Sequence, residues 1–513
     1  MEVNNQMYSD SGFPALNSYT KILQVTRDAF GTGRTKKLSF RERQLKNLLR
    51  LFEENGEKVL QALFKDLRKS RTEATVFELE VCKAEIKHMI KNLRKYSADD
   101  KLPFNWLAIL ERSYIQVSSE SARTLAQLLP QYIDPECYPV ILADAEQTKS
   151  LLENKFDYIF YTGSSSVGSS ILQSAVPYLT PVTLELGGKS PCYIDDNVDF
   201  RKVASRIMWG KLTNMGQTCI SPDYLLCSER AQRAFITTLG PILKDWYGIG
   251  SLQKKPVLAR IINHRHFLRL KRLLETTRGS IVFGGQADEH DLWIEPTIVT
   301  NVKADDPLLE EEIFGPILPI VTVNSADEAI NFILSKPKPL TLYAFSTNNK
   351  TIEKIVSSTS SGGCCINDVL LQNGLRGLPF GGVGASGMGC YHGKFSFDTF
   401  SHKRGILVRG LSYASEKLGE VRYPPPSKGK LALVNFVLHC YETFDVKYTL
   451  KGTFTHFLAL ILGAAILILL LYLGYNPIER NCEAPALQYP KSSINLPLKL
   501  LEAINPDQFI RTE

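Results

Sequence analysis

The chain has 513 residues, 44% hydrophobic and 22% charged, an ordinary globular composition that excludes a disordered or fibrous protein. Lys and Arg number 60 against 53 Asp and Glu, a formal net charge of +7, and no basic run is interleaved with aromatics, which argues against a nucleic-acid partner. The 10 cysteines form no CxxC pair, and no HExxH or His-rich tract offers ligand spacing, so the body is expected to be reduced and metal-free. The start, MEVNNQMYSDSGF, lacks the basic and apolar regions of a secretory signal, which points to synthesis of the main body in the cytosol.

Residues 18–98 repeat apolar side chains at three- and four-residue spacing between charges, which predicts an amphipathic helical layer. The turn-rich KLPFNW follows, then a short alternating segment, SYIQV, and a helix over SARTLAQLLPQY. From Tyr138 the pattern becomes strand (YPVILAD), helix (EQTKSLLENKF), strand (DYIFYTG), helix (SSILQSAVPYL) and strand (PVTLELGG). That alternation predicts an α/β domain with a parallel sheet. Helices and strands continue to about residue 400, with no linker that forces a cut.

The last hundred or so residues differ. RYPPPSKGK is a Pro/Lys linker, LALVNFVLHCYETF reads as a short amphipathic helix, and residues 457–475 carry no charge. Such a run approaches the roughly 20 residues that cross a hydrocarbon core of about 30 Å, so it predicts a transmembrane helix, with a buried core helix as the other reading. Lys428, Lys430, Lys447 and Lys451 precede it, whereas Glu479 and Arg480 nearly cancel after it. The positive-inside bias puts the N-terminal body in the cytosol and residues 476–513 across the membrane.

Gly163 and Gly168 fall at a strand-to-helix junction, where backbone amides, with the Ser164 hydroxyl, can bind phosphate; Gly and Ser also simply make turns. Two literal motif matches fail on context. Gly382, Gly384 and Gly387 spell GxGxxG, but no helix pattern follows, and GGKS at 187–190 has Thr183 where a Walker loop requires glycine. Cys219 in NMGQTCIS follows Asn214, Gly216 and Gln217, polar and turn-forming residues that present a sulfur at a turn instead of packing it in a core. Glu185 sits inside the apolar run PVTLELGG, where a carboxylate is costly to bury unless paired or protonated. A buried carboxyl with a raised pKa makes a good proton shuttle.

TLELGGKSP, NMGQTCIS, EEIFGP and LPFGGVGASGMGCYHGKFSFDTFSHKR occur in the order and spacing of the aldehyde dehydrogenase superfamily, and the last phrase is particularly similar to class 3 members. With the C-terminal apolar segment, the chain resembles the microsomal fatty aldehyde dehydrogenases over roughly residues 18–475. The resemblance implies the aldehyde dehydrogenase fold: a Rossmann-like cofactor domain (18–112 and 118–186), an oligomerisation arm (113–117 and 399–411) and an α/β catalytic domain (187–398). A linker with its amphipathic helix (412–456), a transmembrane anchor (457–475) and a lumenal tail (476–513) complete the expected order. It also implies NAD or NADP as cofactor, a long-chain aldehyde substrate, a homodimer and an endoplasmic reticulum bilayer as partners. By the same analogy Cys219 is the nucleophile, Glu185 the acid/base, and Gly163, Ser164, Gly168, Glu312 and Phe314 bind cofactor, while Asn367 lies near substrate or is a turn residue.

Family members carry a strand, a WNYPF-like phrase, a helix and a second strand ending KPSE where Val117 here runs almost directly into Ser121. The first strand–helix–strand unit of the cofactor domain is therefore expected to be missing, and with it an oxyanion-hole Asn and a ribose-binding Lys. A catalytically impaired, membrane-anchored scaffold or dimerisation partner is the alternative that this departure raises. Gln372 stands where class 3 relatives commonly have His, which bears on substrate preference.

Overall fold

The computed structural model describes residues 18–97, 104–106, 119–403 and separate stretches between 410 and 435. It divides into two units, Met1–Leu407 and Val408–Glu513. The described part of the second unit holds a short 3-10 turn, Glu420–Arg422, and a Tyr423 hydroxyl that donates to Glu416 at 2.6 Å.

In the first unit the strands are β1 (Phe104–Trp106), β2 (Ile159–Gly163), β3 (Val182–Leu186), β4 (Pro191–Ile194), β5 (Tyr224–Cys227), β6 (Ser280–Phe283) and β7 (Ala287–Asp288). They continue with β8 (Trp293–Ile294), β9 (Thr297–Thr300), β10 (Ile317–Thr322), β11 (Thr341–Phe345), β12 (Gly363–Ile366), β13 (Gly387–Met388) and β14 (Ser401–Lys403).

The periodic N-terminal segment folds as expected into helices, among them Leu38–Glu54, Gly56–Leu67 and Glu80–Tyr96. Leu51 and Val59 meet Leu128, Leu129 and Ile133 at the end of the helix Ser119–Tyr132, so the apolar stripe is buried against another helix. That last helix starts with its first amides capped from outside: the Glu120 and Ser121 N–H groups donate to Asp66 at 3.0 and 2.8 Å.

The central sheet has seven strands in the order β12-β11-β4-β5-β10-β9-β6, all parallel except β6 against β9. Strands buried on both faces need apolar residues throughout, which is why β4, β5 and β11 are buried at every position. One face packs on the helices Phe200–Leu212 and Glu229–Tyr247 through Val203, Ile207, Phe235, Leu239 and Ile242. The other packs on His264–Thr276 through Phe267, Leu270 and Leu273.

A smaller sheet, β13-β3-β2, pairs β2 parallel to β3 and β13 antiparallel to it. Its register sets Glu185 opposite Thr162 on one side and Gly387 on the other.

Two expectations are corrected. The segment 138–144, expected as a strand, joins no strand, because among the described residues this sheet ends at β2 and no neighbour takes its ladder. Its apolar residues are used in packing instead: Ile141 is buried with Tyr19 and Ile22, and Tyr138 and Val140 lie on the helical core. KLPFNW, read as turn-rich, contains β1, which pairs antiparallel with β14 from Phe104 opposite Lys403 to Trp106 opposite Ser401. The strand expected at 113–117 lies outside the described residues.

Candidate active site

Cys219 follows the helix Phe200–Leu212 and a turn in which Asn214, Met215 and Gly216 all have positive φ, at 52°, 53° and 75°. Left-handed backbone costs a non-glycine residue roughly 1–2 kcal/mol, so the turn persists only because its surroundings impose it. Gln217 supplies much of that constraint. Its Nε2 donates to the carbonyls of Asn214 and Arg260 at 3.0 Å each, and its Oε1 accepts from the Ile262 N–H at 3.0 Å. At Gly216 a Cβ would lie 2.2 Å from the Gly315 carbonyl, so the loop before Cys219 and the EEIFGP loop approach as only glycine permits.

The EEIFGP loop is fixed from its other side by Lys189. This buried amine donates to Asp223, to the Leu308 carbonyl at 2.7 Å and to the Glu311 carbonyl at 2.9 Å. Asp223 in turn accepts from the Ile313 N–H at 3.0 Å. The GGKS lysine is thus the anchor of a loop, in keeping with the rejection of the Walker reading. Beside it, a Cβ on Gly187 would sit 1.9 Å from Glu312 Oε2, which shows how closely that carboxyl lies on the chain leaving β3.

Four titratable groups of this region are displaced towards unusual values. Burial pushes Glu185 up to about 8; it is 3% exposed and neither carboxyl oxygen has a hydrogen-bond partner. Burial, with Asp223 adding, brings Glu312 to about 8 against a hydrogen bond from the Gly188 backbone and the charges of Lys189 and Arg269. The Cys219 thiol is raised to about 12 by burial and by Glu312 and Glu185, although the backbone of Cys219 and Ile220 donates towards the sulfur. Lys211, 1% exposed with its amine unpaired, is lowered by burial to about 8. Glu185, Glu312 and Lys211 are thereby brought near neutrality, where acid–base chemistry operates, whereas the raised Cys219 thiol needs a neighbouring base to lose its proton.

A single cavity of about 2460 Å³ is lined by Gly163, Ser164, Glu185, Cys219, Glu312 and Phe314 together with the helical layer. Ser164 caps the helix Ser165–Ala175 by accepting the Val167 N–H at 3.4 Å. Gly168 is not in the lining; it lets that helix pack on β3, since a Cβ there would be 2.7 Å from Leu186 Cδ2. Phe314 takes a positive φ of 48°. The helix N-terminus, the unpaired Glu185 carboxyl and the aromatic ring in one cavity suit a dinucleotide and a carbonyl substrate.

Asn367 stands apart from this group. It does not line the cavity, and its side chain is spent on Ser346, accepting the Ser346 N–H at 2.9 Å and donating to the Ser346 carbonyl at 3.0 Å. With φ at 59° it is a turn residue. Gln372 donates to Thr341 and Tyr343 at 3.2 and 3.1 Å. Gly387 opens β13 and no helix, in keeping with the rejection of the GxGxxG reading. Sequence reasoning missed the Lys189–Asp223 tie, for which an acid and a base within apolar surroundings were the available signal. It also missed Glu73, whose carboxylate accepts the Asn214 N–H at 2.6 Å. Among the described residues no group of three His, Cys, Asp or Glu is placed to hold a metal.

Fold and site together define a thiol-bearing α/β oxidoreductase. The aldehyde dehydrogenase family profile matches residues 115–406, and the chain belongs to that family. Its similarity lies with class 3. Human aldehyde dehydrogenase family 3 member B1 is 43% identical over 452 residues, covering 80% of this chain and 96% of the relative. Family 3 member A2 of Rattus norvegicus is 42% identical over 456 residues, covering 81% and 93%. The substrate-bound Staphylococcus aureus AldH superposes with a TM-score of 0.76 at 35% identity, covering 82% of this chain and 99% of that one. The activity is NAD(P)-dependent aldehyde oxidation, and these relatives do not favour the scaffold alternative.

Proposed function

We propose that the chain oxidises long-chain aliphatic aldehydes to fatty acids, with Cys219 as nucleophile and Glu185 as proton acceptor. The observation that carries this is the shared cavity: residues from four separate segments line it, and the buried Glu185 carboxyl there has no hydrogen-bond partner. Ionised Glu185 takes the Sγ proton as sulfur adds to the aldehyde carbon. NAD(P)⁺, when bound, accepts the hydride that leaves this carbon. After releasing its proton to solvent through the cavity, Glu185 takes one from the water that attacks the thioester, and the acid departs with the Cys219 thiol restored. Gly163 and Ser164 would hold the pyrophosphate, and Glu312 and Phe314 the nicotinamide end. With Glu185 at about 8, about a tenth of it is the active base at pH 7, so turnover rises through about pH 8.

The chain also lacks, in this reading, a strand–helix–strand unit between Val117 and Ser121. The human alignment spans 452 positions yet uses 80% of this chain, so roughly forty positions of the relative have no counterpart, the size of such a unit of about 30 residues or more. The sheet that ends at β2 and the large cavity beside it support the same reading. Weakened cofactor affinity is the expected consequence. The division into cofactor-binding (18–112 and 118–186), arm (113–117 and 399–411) and catalytic (187–398) parts belongs to this proposal; β14 falls in the second arm segment, whereas its partner β1 falls within the cofactor part of that division.

Residues 457–475 would anchor the enzyme in the endoplasmic reticulum membrane with its body cytosolic, and the arm would pair two copies. The uncharged run supports the anchor; it lies outside the described residues, among which no helix is long and apolar enough to cross a membrane. Following NAD(P)H formation with aldehydes of increasing chain length, at saturating cofactor and in detergent, tests the proposal. Rates that rise with chain length are expected; no reduction with any medium- or long-chain aldehyde would overturn it.

A further inference from the structure

The turn that presents Cys219 is constrained from two directions. Gln217 ties its C-terminal side, and the Asn214 side chain adds a bond from Nδ2 to the Gln217 carbonyl at 2.8 Å. The Asn214 backbone N–H, at the entrance to the left-handed run, is held from a distant segment. Glu73, 141 positions earlier in the short helix Arg71–Ala74, accepts it at 2.6 Å. This is a charge-assisted bond to a carboxylate whose side chain is 15% exposed.

Glu73 is itself fixed. Its N–H donates to Ser70 Oγ at 3.2 Å, and the Lys69 amine lies 3.8 Å from its Oε1. Lys69 is buried and has a nearer partner in Glu78, at 2.6 Å. The Glu73 oxygen that accepts the Asn214 N–H is thus also near this cation, whose shorter pairing is with Glu78.

We propose that Glu73 is a positioning residue for Cys219: its carboxylate fixes the turn through the Asn214 N–H, aiming the thiol into the cavity and keeping the Cys219 and Ile220 amides directed at the sulfur. The inference rests on the reading of Cys219 as nucleophile. A contact that merely joined the helical layer to the catalytic part would be redundant. Arg68 already pairs with Asp291, the Arg260 N–H donates to the Leu67 carbonyl at 2.7 Å, and Phe77 packs on Trp209 at 5.9 Å. Among the described residues, only Glu73 reaches the turn from outside it by a side-chain acceptor.

The test measures iodoacetamide alkylation of Cys219 by peptide mass spectrometry on the full chain in detergent. Glu73→Met keeps the volume and removes the acceptor, and alkylation is expected to slow about tenfold, the loss of one charge-assisted bond. Glu73→Gln keeps an acceptor and should stay within about twofold of the unaltered chain. Arg68→Ala, which removes a layer contact without touching the turn, should also stay within about twofold. Equal rates for Glu73→Met and the unaltered chain overturn the proposal, as does a Gln or Arg68→Ala variant as slow as Met. Hydrogen exchange of a peptide spanning 213–219 reads the tie without thiol chemistry, and faster exchange is expected in Glu73→Met alone. Unchanged exchange there overturns the tie. A Cys219→Ala variant that keeps the aldehyde turnover of the unaltered chain while exchange responds as expected overturns the nucleophile reading instead.

Discussion

Glu185 offers a test in which function and stability oppose each other. Its carboxyl is 3% exposed, both oxygens lack partners, and burial raises it from 4.5 to about 8. A raised folded-state pKa means that folding takes up a proton between these values. The native state has no penalty from this group below about pH 4.5, loses stability as pH rises towards 8, and loses no more above it. Between pH 5 and pH 8 the loss approaches about 4 kcal/mol at about 1.4 kcal/mol per pH unit, and relaxation of the pocket brings it to about 2–4.

Glu185→Gln removes the titration and keeps the shape. Its amide adds a buried donor that costs about 1–3 kcal/mol at every pH, so the quantity to follow is the change in the difference between variant and unaltered chain. Melting curves in detergent at pH 5, 6, 7 and 8 should show the variant gaining on the unaltered chain by several degrees from pH 5 to pH 8, while turnover is lost. A difference in melting temperature that stays constant over this range would mean that Glu185 is ionised in the folded protein, and the proton-acceptor argument would fail with it.

Gly216→Ala should destabilise the chain and abolish thiol presentation, because its Cβ would lie 2.2 Å from the Gly315 carbonyl at a φ of 75°; wild-type melting and alkylation would refute this. Lys189→Met should cost about 3–5 kcal/mol by leaving Asp223 charged and buried, and the additional replacement Asp223→Asn should recover part of it in the same melting assay. Alkaline carbonate should leave the full chain in the membrane pellet and truncation before Gly452 should release it; release of the intact chain would remove the anchor.

What the sequence made legible were groups whose chemistry conflicts with their surroundings. Glu185 stands out as an acid in an apolar strand, and Cys219 as a thiol after a turn-forming phrase; both line the cavity. Glu73 carried no such signal, because an acid on an amphipathic helix looks like a solvated face until a partner 141 positions away arrives. The segment 138–144 has a strand's apolar alternation, but membership of a sheet depends on a neighbour, and its apolar groups pack on helices instead. Pro103 and Asn105 made KLPFNW read as a turn, whereas pairing with β14 decides its conformation. Asn367 was named for its place in a phrase; its left-handed backbone and two bonds to Ser346 account for the residue type without substrate.

The central claim, that aldehyde carbon becomes bonded to Cys219 before the acid is released, is tested most directly by intact-protein and peptide mass spectrometry. Glu185→Gln slows both proton transfers and leaves the thioester without an activated water, so long incubation with a long-chain aldehyde and saturating NAD(P)⁺ should accumulate the acyl adduct. The expected result is one acyl group per chain, located on Cys219, with an equivalent of NAD(P)H. An equivalent of NAD(P)H with no acyl adduct, or with the acyl group on another residue, would contradict the account.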